Sequence, residues 1–153
     1  MPRSNRFPDP RTEQGSAAVE FLTLGVLLLV PLVYLVLTLA ALQGAAFAAD
    51  GAARQAARVY VLAEDDASGR AQVDAAVSTA LADWRLPASA ARVDLACSPD
   101  PGDCRTPRGT VRVVVRVAVA LPLLPPAVAV DAPATIPVEA SAAQRVSSFA
   151  VQP

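Results

Sequence analysis

"FLTLGVLLLVPLVYLVLTLAAL", residues 21–42, is the longest apolar run in this chain of 153 residues, and it decides the fold class. It is preceded by Glu20, and the next charged residue is Asp50. About 20 apolar residues, each adding 1.5 Å to an α-helix, cross a hydrocarbon layer of roughly 30 Å. The run therefore predicts a transmembrane helix, which we expect to kink at Pro31 without ending there, since membrane helices tolerate proline.

A cleaved secretory signal is the alternative interpretation of this run. "AFA", residues 46–48, fits a small-x-small cleavage site and would release a protein that begins at Ala49. The preceding apolar run, however, begins with a carboxylate and is longer than the 7 to 15 or so residues typical of a signal. These features favour the membrane helix.

The rest of the composition excludes several function classes. The formal net charge is −1 and no long basic stretch is present, so we expect no nucleic-acid binding. The chain has no His and only two Cys, which cannot build a four-ligand zinc site within one subunit. No phosphate-binding glycine loop and no pairing of a nucleophile with a base is visible. We therefore expect no enzyme activity, no catalytic residue, no cofactor and no metal site.

The segment after the apolar run predicts that the membrane helix continues as a stalk into the aqueous phase. Residues 43–65 lack proline and are rich in Ala, Arg and Gln, which favour helix. Small residues recur at every fourth position, a spacing that lets helices pack closely, although chance also produces it in so alanine-rich a chain: Gly44, Ala48, Ala52 and Ala56. We expect the stalk to end near the acidic cluster of residues 64–66, which lacks a calcium-loop pattern and is better explained as a solvated turn.

A second helix and a set of strands follow. Apolar residues at steps of three and four predict a helix from Ser68 or Gly69 to Trp84, stopped by Pro87. Alternating patterns then predict three strands, namely a short one over residues 92–97, a valine-rich one over residues 110–121 and a last one over about residues 134–146. Pro137 favours an edge position for the last strand, and "LPLLPP", residues 121–126, favours a loop. The soluble part is thus predicted to be α+β, with one or two helices packed on three or four antiparallel strands.

Cys97 and Cys104 flank "SPDPGD" in the predicted hairpin connection, where a turn can bring them together. A disulfide there would add roughly 2 to 3 kcal/mol of stability in an oxidising compartment, and a pair of reduced loop cysteines is the alternative. The positive-inside rule predicts the orientation of the membrane helix only weakly, because three arginines precede the apolar run and two follow it closely: Arg3, Arg6, Arg11, Arg54 and Arg58. The paired cysteines favour a single-pass protein of the cell membrane, with a cytoplasmic N-terminus and an extracytoplasmic C-terminal domain.

"GSAAVEF", residues 15–21, resembles the processing site of type IV prepilins, in which cleavage follows a Gly and the fifth mature residue is Glu. More narrowly, the chain resembles the TadE-like pseudopilins of tight-adherence (Flp) pilus systems. "DGAARQAAR", residues 50–58, matches the family's stalk pattern, and the valine-rich strand, "LPLLPP" and the closing strand with Arg145 match its C-terminal layout. Together these parts cover most of residues 11–146. Phe21 stands where major Flp pilins usually carry Tyr, and the exported domain is larger than theirs, so the resemblance implies a minor pilin-like protein.

The resemblance implies cleavage between Gly15 and Ser16 by a prepilin peptidase, and assembly with other pilins or pseudopilins and with pilus platform proteins. It completes the predicted division of the chain: 1–15 basic leader, 16–49 transmembrane helix, 50–91 stalk and second helix, 92–148 antiparallel β subdomain with a disulfide-closed hairpin, and 149–153 tail.

Glu20 is the residue whose role needs a physical explanation. A carboxylate in a bilayer costs several kcal/mol unless it is paired or lies near the interface. Cleavage after Gly15 would create an ammonium group at Ser16, which could pair with Glu20 of the same or a neighbouring subunit next to Phe21. The alternative is an uncleaved anchor whose Glu20 lies among lipid headgroups and whose exported domain is an extracytoplasmic binding module.

Overall fold

The computed structural model of the chain describes residues 13–122 and 135–149, with side chains from Ala17 onward. Its main elements are two α-helices and three strands: α1 Glu13–Leu62, α2 Asp66–Asp83, β1 Ala91–Ser98, β2 Thr110–Ala120 and β3 Thr135–Arg145. This arrangement confirms the α+β class. The basic leader up to residue 12, the connection over residues 123–134 and the tail from residue 150 lie outside the described residues. The chain divides into two compact units, Met1–Leu37 and Thr38–Pro153.

The first unit contains the leucine-rich half of α1. Pro31 lies inside this helix and does not end it, as predicted. A proline removes only one backbone hydrogen bond, and a helix of this length keeps many others. Within the described residues, α1 is the one helix that is long and apolar enough to cross a membrane.

The second unit contains the hydrophobic core. One cluster of buried residues joins the alanine-rich half of α1 to one face of α2 and to the valines of β2. The members from α1 recur with helical spacing and therefore form one face: Ala45, Ala48, Ala49, Ala52, Ala53, Ala56, Ala57 and Tyr60. The predicted stalk is thus a helix, but one whose small side chains pack inside the protein's own core. The four-residue spacing of small residues serves this packing.

The start of α2 corrects a boundary drawn from the sequence. The helix begins at Asp66, two residues before the predicted Ser68, because Asp65 caps it. The Ser68 backbone N–H donates to an Asp65 carboxylate oxygen at 2.7 Å, and the Asp65 N–H donates to the Ser68 hydroxyl at 3.3 Å. This reciprocal pair is a capping box, which fixes the first turn.

The strands lie in the order β1-β2-β3 and form an antiparallel sheet. Val93 of β1 lies opposite Val115 of β2, and Pro137 of β3 lies opposite Ala118. β3 is an edge strand, as Pro137 predicted. The alternation on β2 is also confirmed, since its five buried residues are valines at every second position and its arginines lie on the other face: Val111, Val113, Val115, Val117, Val119, Arg112 and Arg116.

We predict that Ala56→Leu destabilises the second unit by about 1 to 3 kcal/mol, because Ala56 is fully buried and the added atoms have no space in a packed core. The measurement is thermal unfolding of the full chain in detergent, followed by near-ultraviolet circular dichroism. Ala71→Leu, which adds the same atoms at an exposed position of α2, is the control and should unfold like the wild type. Equal unfolding temperatures for both variants would show that the α1 face is loosely packed.

Candidate functional site

The candidate site is the apolar surface of α1, whose large side chains are uncovered. Between residues 19 and 39 their exposed fractions run from 45% to 77%: Val19, Phe21, Leu22, Leu24, Val26, Leu27, Leu28, Leu29, Val30, Leu32, Val33, Leu35, Val36, Leu37 and Leu39. Soluble monomers rarely expose contiguous apolar patches larger than a few hundred Å². A surface of this extent is compatible with a membrane anchor.

Glu20 is the one charged residue on this surface, and its side chain is exposed. Among the described residues it has no ion-pair or hydrogen-bond partner, whereas the nearby Thr23 hydroxyl donates to the Val19 carbonyl at 2.7 Å. The hydroxyl is thus satisfied within its own helix, whereas the Glu20 carboxylate is paired with no residue that the structure describes. Phe21, the adjacent site residue, is 77% exposed and is available for contact with a neighbour.

The predicted processing site lies at the start of the same helix. Gly15 and Ser16 have helical backbone, because α1 begins at Glu13. Ser16 precedes Glu20 by four residues, so the two lie on one face of the helix, about 6 Å apart along its axis. An ammonium group at Ser16 would therefore lie one helical turn from the carboxylate.

The disulfide forms a second predicted feature. Cys97 at the end of β1 is bonded to Cys104 in the connection to β2, with their Cα atoms 5.0 Å apart. Two carboxylates order the loop, since Asp100 accepts from the Gly102 N–H at 2.8 Å and Asp103 accepts from the Arg105 N–H at 2.9 Å. These bonds are Asx turns, in which a side chain replaces a backbone acceptor.

Arg105 connects this loop to the end of α1, a contact that the sequence did not predict. Its Nη2 donates to the Ala63 carbonyl at 2.6 Å, 42 residues away in the chain. The last carbonyls of a helix lack partners within the helix, and a cation there also interacts favourably with the helix dipole. No local pattern could have shown the contact, because it depends on how α1 and the hairpin pack.

The acidic cluster has a structural role in the described chain. Asp65 caps α2, while Asp66 accepts a hydrogen bond from the buried Tyr60 hydroxyl and another from Arg70 Nε at 2.9 Å. The Tyr60 bond first, and then the Arg70 bond, lower the pKa of Asp66. Within residues 17–122 and 135–149, no group of three or more His, Cys, Asp or Glu side chains is arranged to hold a metal ion.

The outer face of the sheet carries a charged network across all three strands. Arg116 of β2 forms ion pairs with Asp94 of β1 and with Glu139 of β3, whose Oε2 is 2.6 Å from Arg116 Nε. All three side chains are substantially exposed, so the pairs contribute little to stability. They do favour the observed strand register, because a shift of one residue would separate them.

Comparison with protein-family models, curated proteins and solved structures finds no match to this chain. The resemblance to TadE-like pseudopilins is therefore an expectation that rests on the sequence motifs at residues 15–21 and 50–58 and on the C-terminal layout alone.

We predict that acid weakens the fold partly through Asp66. Because folding lowers the pKa of this carboxyl group, its contribution is complete above the unfolded value of about 4 and is lost as the pH falls through the folded value. Asp66→Asn should therefore flatten the decline of unfolding temperature below about pH 4, measured on the full chain. Asp74→Asn removes an exposed carboxylate from the same helix and is the matched control. If both variants show the same slope, the Tyr60–Asp66 bond does not contribute to acid stability.

Proposed function

We propose that the protein is a minor, TadE-like pilin-like protein that takes part in the assembly of a tight-adherence (Flp) pilus or a related secretion apparatus. α1 is its single membrane span, residues 1–15 lie in the cytoplasm, and the second unit lies outside the membrane. The observation that carries the proposal is the uncovered apolar surface of α1, with one carboxylate placed a single helical turn after the Gly15–Ser16 bond.

The function consists of helix packing. In a filament of packed membrane helices, the leucines of α1 would have apolar neighbours, as they have in a bilayer. Transfer from the bilayer to the assembly therefore does not expose them to water. Glu20 is the exception, since an ionised carboxylate in such surroundings needs a counter-ion. The position of that counter-ion therefore determines where α1 can pack within the assembly.

The Ser16 amino group, created by a prepilin peptidase, is that partner in the proposed mechanism. Pairing within one chain needs only the helical geometry of residues 16–20, and pairing between chains needs a neighbour at a suitable height. Removing one member of a buried ion pair costs about 3 to 5 kcal/mol, because the other charge stays buried and uncompensated. The pair therefore selects processed subunits and one axial register.

The disulfide supports the proposed orientation. Structural disulfides form and persist in oxidising compartments and are rare in the cytosol. The Cys97–Cys104 bond lies in the second unit, which follows the apolar run in the chain. The N-terminal leader then faces the cytoplasm, where a prepilin peptidase meets its substrates.

An uncleaved membrane anchor for an extracytoplasmic binding module is the second candidate. It is favoured by one observation: α1 begins at Glu13 and includes the Gly15–Ser16 bond in its first turn. Cleavage requires this turn to unwind, as helix ends do by fraying. Secretion by cleavage after Ala48 has less support, because that cut would remove Ala45 and Ala48 from the core.

We predict that the mature chain in cells that display pili begins at Ser16. Mass spectrometry of the intact protein, purified from membranes and from sheared pili, measures this directly. Substituting Gly15→Leu should block processing and leave the full chain in the membrane. Full-length chain in wild-type cells with normal pili would support the uncleaved anchor and contradict the proposal.

We also predict that Glu20→Gln lowers incorporation into pilus complexes about tenfold or more, since a loss of only about 1.4 kcal/mol already corresponds to a factor of ten. The fold and membrane insertion should stay unchanged, because Glu20 has no partner in the described chain. Quantitative co-purification with pilus components gives the readout. Glu64→Gln removes an exposed carboxylate near the end of α1 and is the matched control. Equal incorporation of both variants would eliminate the pairing mechanism.

A further inference from the structure

Two exposed aromatic side chains of the second unit are stacked on one another. Phe47 of α1 is 66% exposed and Trp84, at the end of α2, is 49% exposed. Their rings are stacked, with centroids 6.2 Å apart and an angle of 25° between the planes. Trp84 is the only tryptophan in the chain.

This aromatic pair lies at the level where the apolar run of α1 ends. Residues 38–42, the last turn of that run, belong to the same compact unit as the pair. A Cβ atom placed on Gly44 would lie 3.1 Å from Trp84 Cε3, so the indole ring rests directly on α1 at this residue. Along the helix axis, Gly44 lies about 3 Å beyond Leu42, and Phe47 lies about 7.5 Å beyond Leu42.

The turn after α2 holds Trp84 and presents a cation beside it. The Leu86 N–H donates to the Leu81 carbonyl at 3.0 Å and the Arg85 N–H donates to the Ala82 carbonyl at 2.9 Å, the two bonds of a Schellman motif. Arg85 therefore has a φ of 57°, in the left-handed region that glycine usually occupies at this position. Its side chain is exposed, next to the indole ring in the chain.

We infer that Phe47, Trp84 and Arg85 form a collar that inserts into the headgroup layer of a phospholipid bilayer. Tryptophan is enriched at membrane–water interfaces, where its apolar ring and polar N–H are both satisfied. An exposed arginine beside it can reach lipid phosphate with its guanidinium group while its methylene groups cover apolar surface. On α1, Phe47 is the next exposed large apolar side chain after Leu39, about two turns further along the helix.

The collar would hold the second unit against the membrane at a fixed depth. Without it, nothing but the α1 backbone would set the distance of the domain from the bilayer. With it, the collar end of the second unit is embedded among headgroups before assembly. When the chain leaves the bilayer for a pilus, Trp84 loses its contact with lipid. The inference rests on the proposed membrane span, and its test separates the two.

The experiment uses wild-type chain in phosphatidylcholine vesicles, because its single tryptophan is already the probe. We expect emission shifted to shorter wavelength, strong loss of fluorescence with lipids brominated near the carbonyl group, and weak loss with lipids brominated at the chain end. Iodide in the aqueous phase should quench Trp84 less than it quenches free tryptophan. Retention of the chain in vesicles after an alkaline wash tests the membrane span independently.

The matched control moves the probe to the far end of the same helix. Leu62 is 71% exposed and lies about 30 Å beyond Leu42 along the helix axis. In the Trp84→Phe, Leu62→Trp variant, brominated lipid should have no effect and iodide should quench strongly. The wild-type result needs no substitution, so it holds even where this variant fails to fold.

Three results would overturn the inference. Quenching of Trp84 by iodide alone, to the extent seen at position 62, would place the ring in water. Quenching by neither reagent would show that protein covers the ring. Loss of the chain from vesicles in the alkaline wash would contradict the proposed membrane span, and the collar, which rests on that span, would be contradicted as well.

Discussion

The close packing of small side chains on one face of α1 is the constraint on which the second unit depends. Seven of the eight alanines between residues 45 and 57, all except Ala46, are almost completely buried in one cluster with the valines of β2 and with α2. Small residues bring a helix backbone close to its neighbours, and interiors at this density tolerate no extra volume. The contact of the Trp84 ring with Gly44 and the hydrogen bond from Arg105 to the Ala63 carbonyl both depend on this close packing of α1 against the rest of the second unit.

α1 uses its two kinds of apolar residue in opposite ways. Leu27 and Leu35, which lose most from contact with water, are exposed, whereas Ala52 and Ala56, which lose least, are fully buried. Hydrophobicity alone predicts the reverse order of burial. The contradiction disappears if lipid or neighbouring helices cover the leucines, because the protein's own core then needs only residues small enough for close packing.

Periodicity predicted most of the fold because the patterns here are strict. Alternating valines located β2 to within one residue, and Pro137 placed β3 at an edge. The start of α2 was placed two residues late because Asp65 and Ser68 form a capping box whose acidic neighbours resemble a solvated turn. The alanine packing and the Arg105–Ala63 bond could not be predicted, since each depends on residues distant in sequence whose geometry only the packed core defines.

The apolar surroundings of Glu20 distinguish it from the other carboxylates of the described chain. Asp66 and Glu139 are exposed and have cationic partners within the chain, at Arg70 and Arg116. Glu20 lies on the most apolar surface and has none among the described residues. Its uncompensated charge is tolerable near headgroups but costly inside an assembly of helices. The nearest counter-ion on its own helix, an amino group at Ser16, exists only after cleavage, so under the proposed function one peptide-bond hydrolysis changes an anchored helix into one that can be packed.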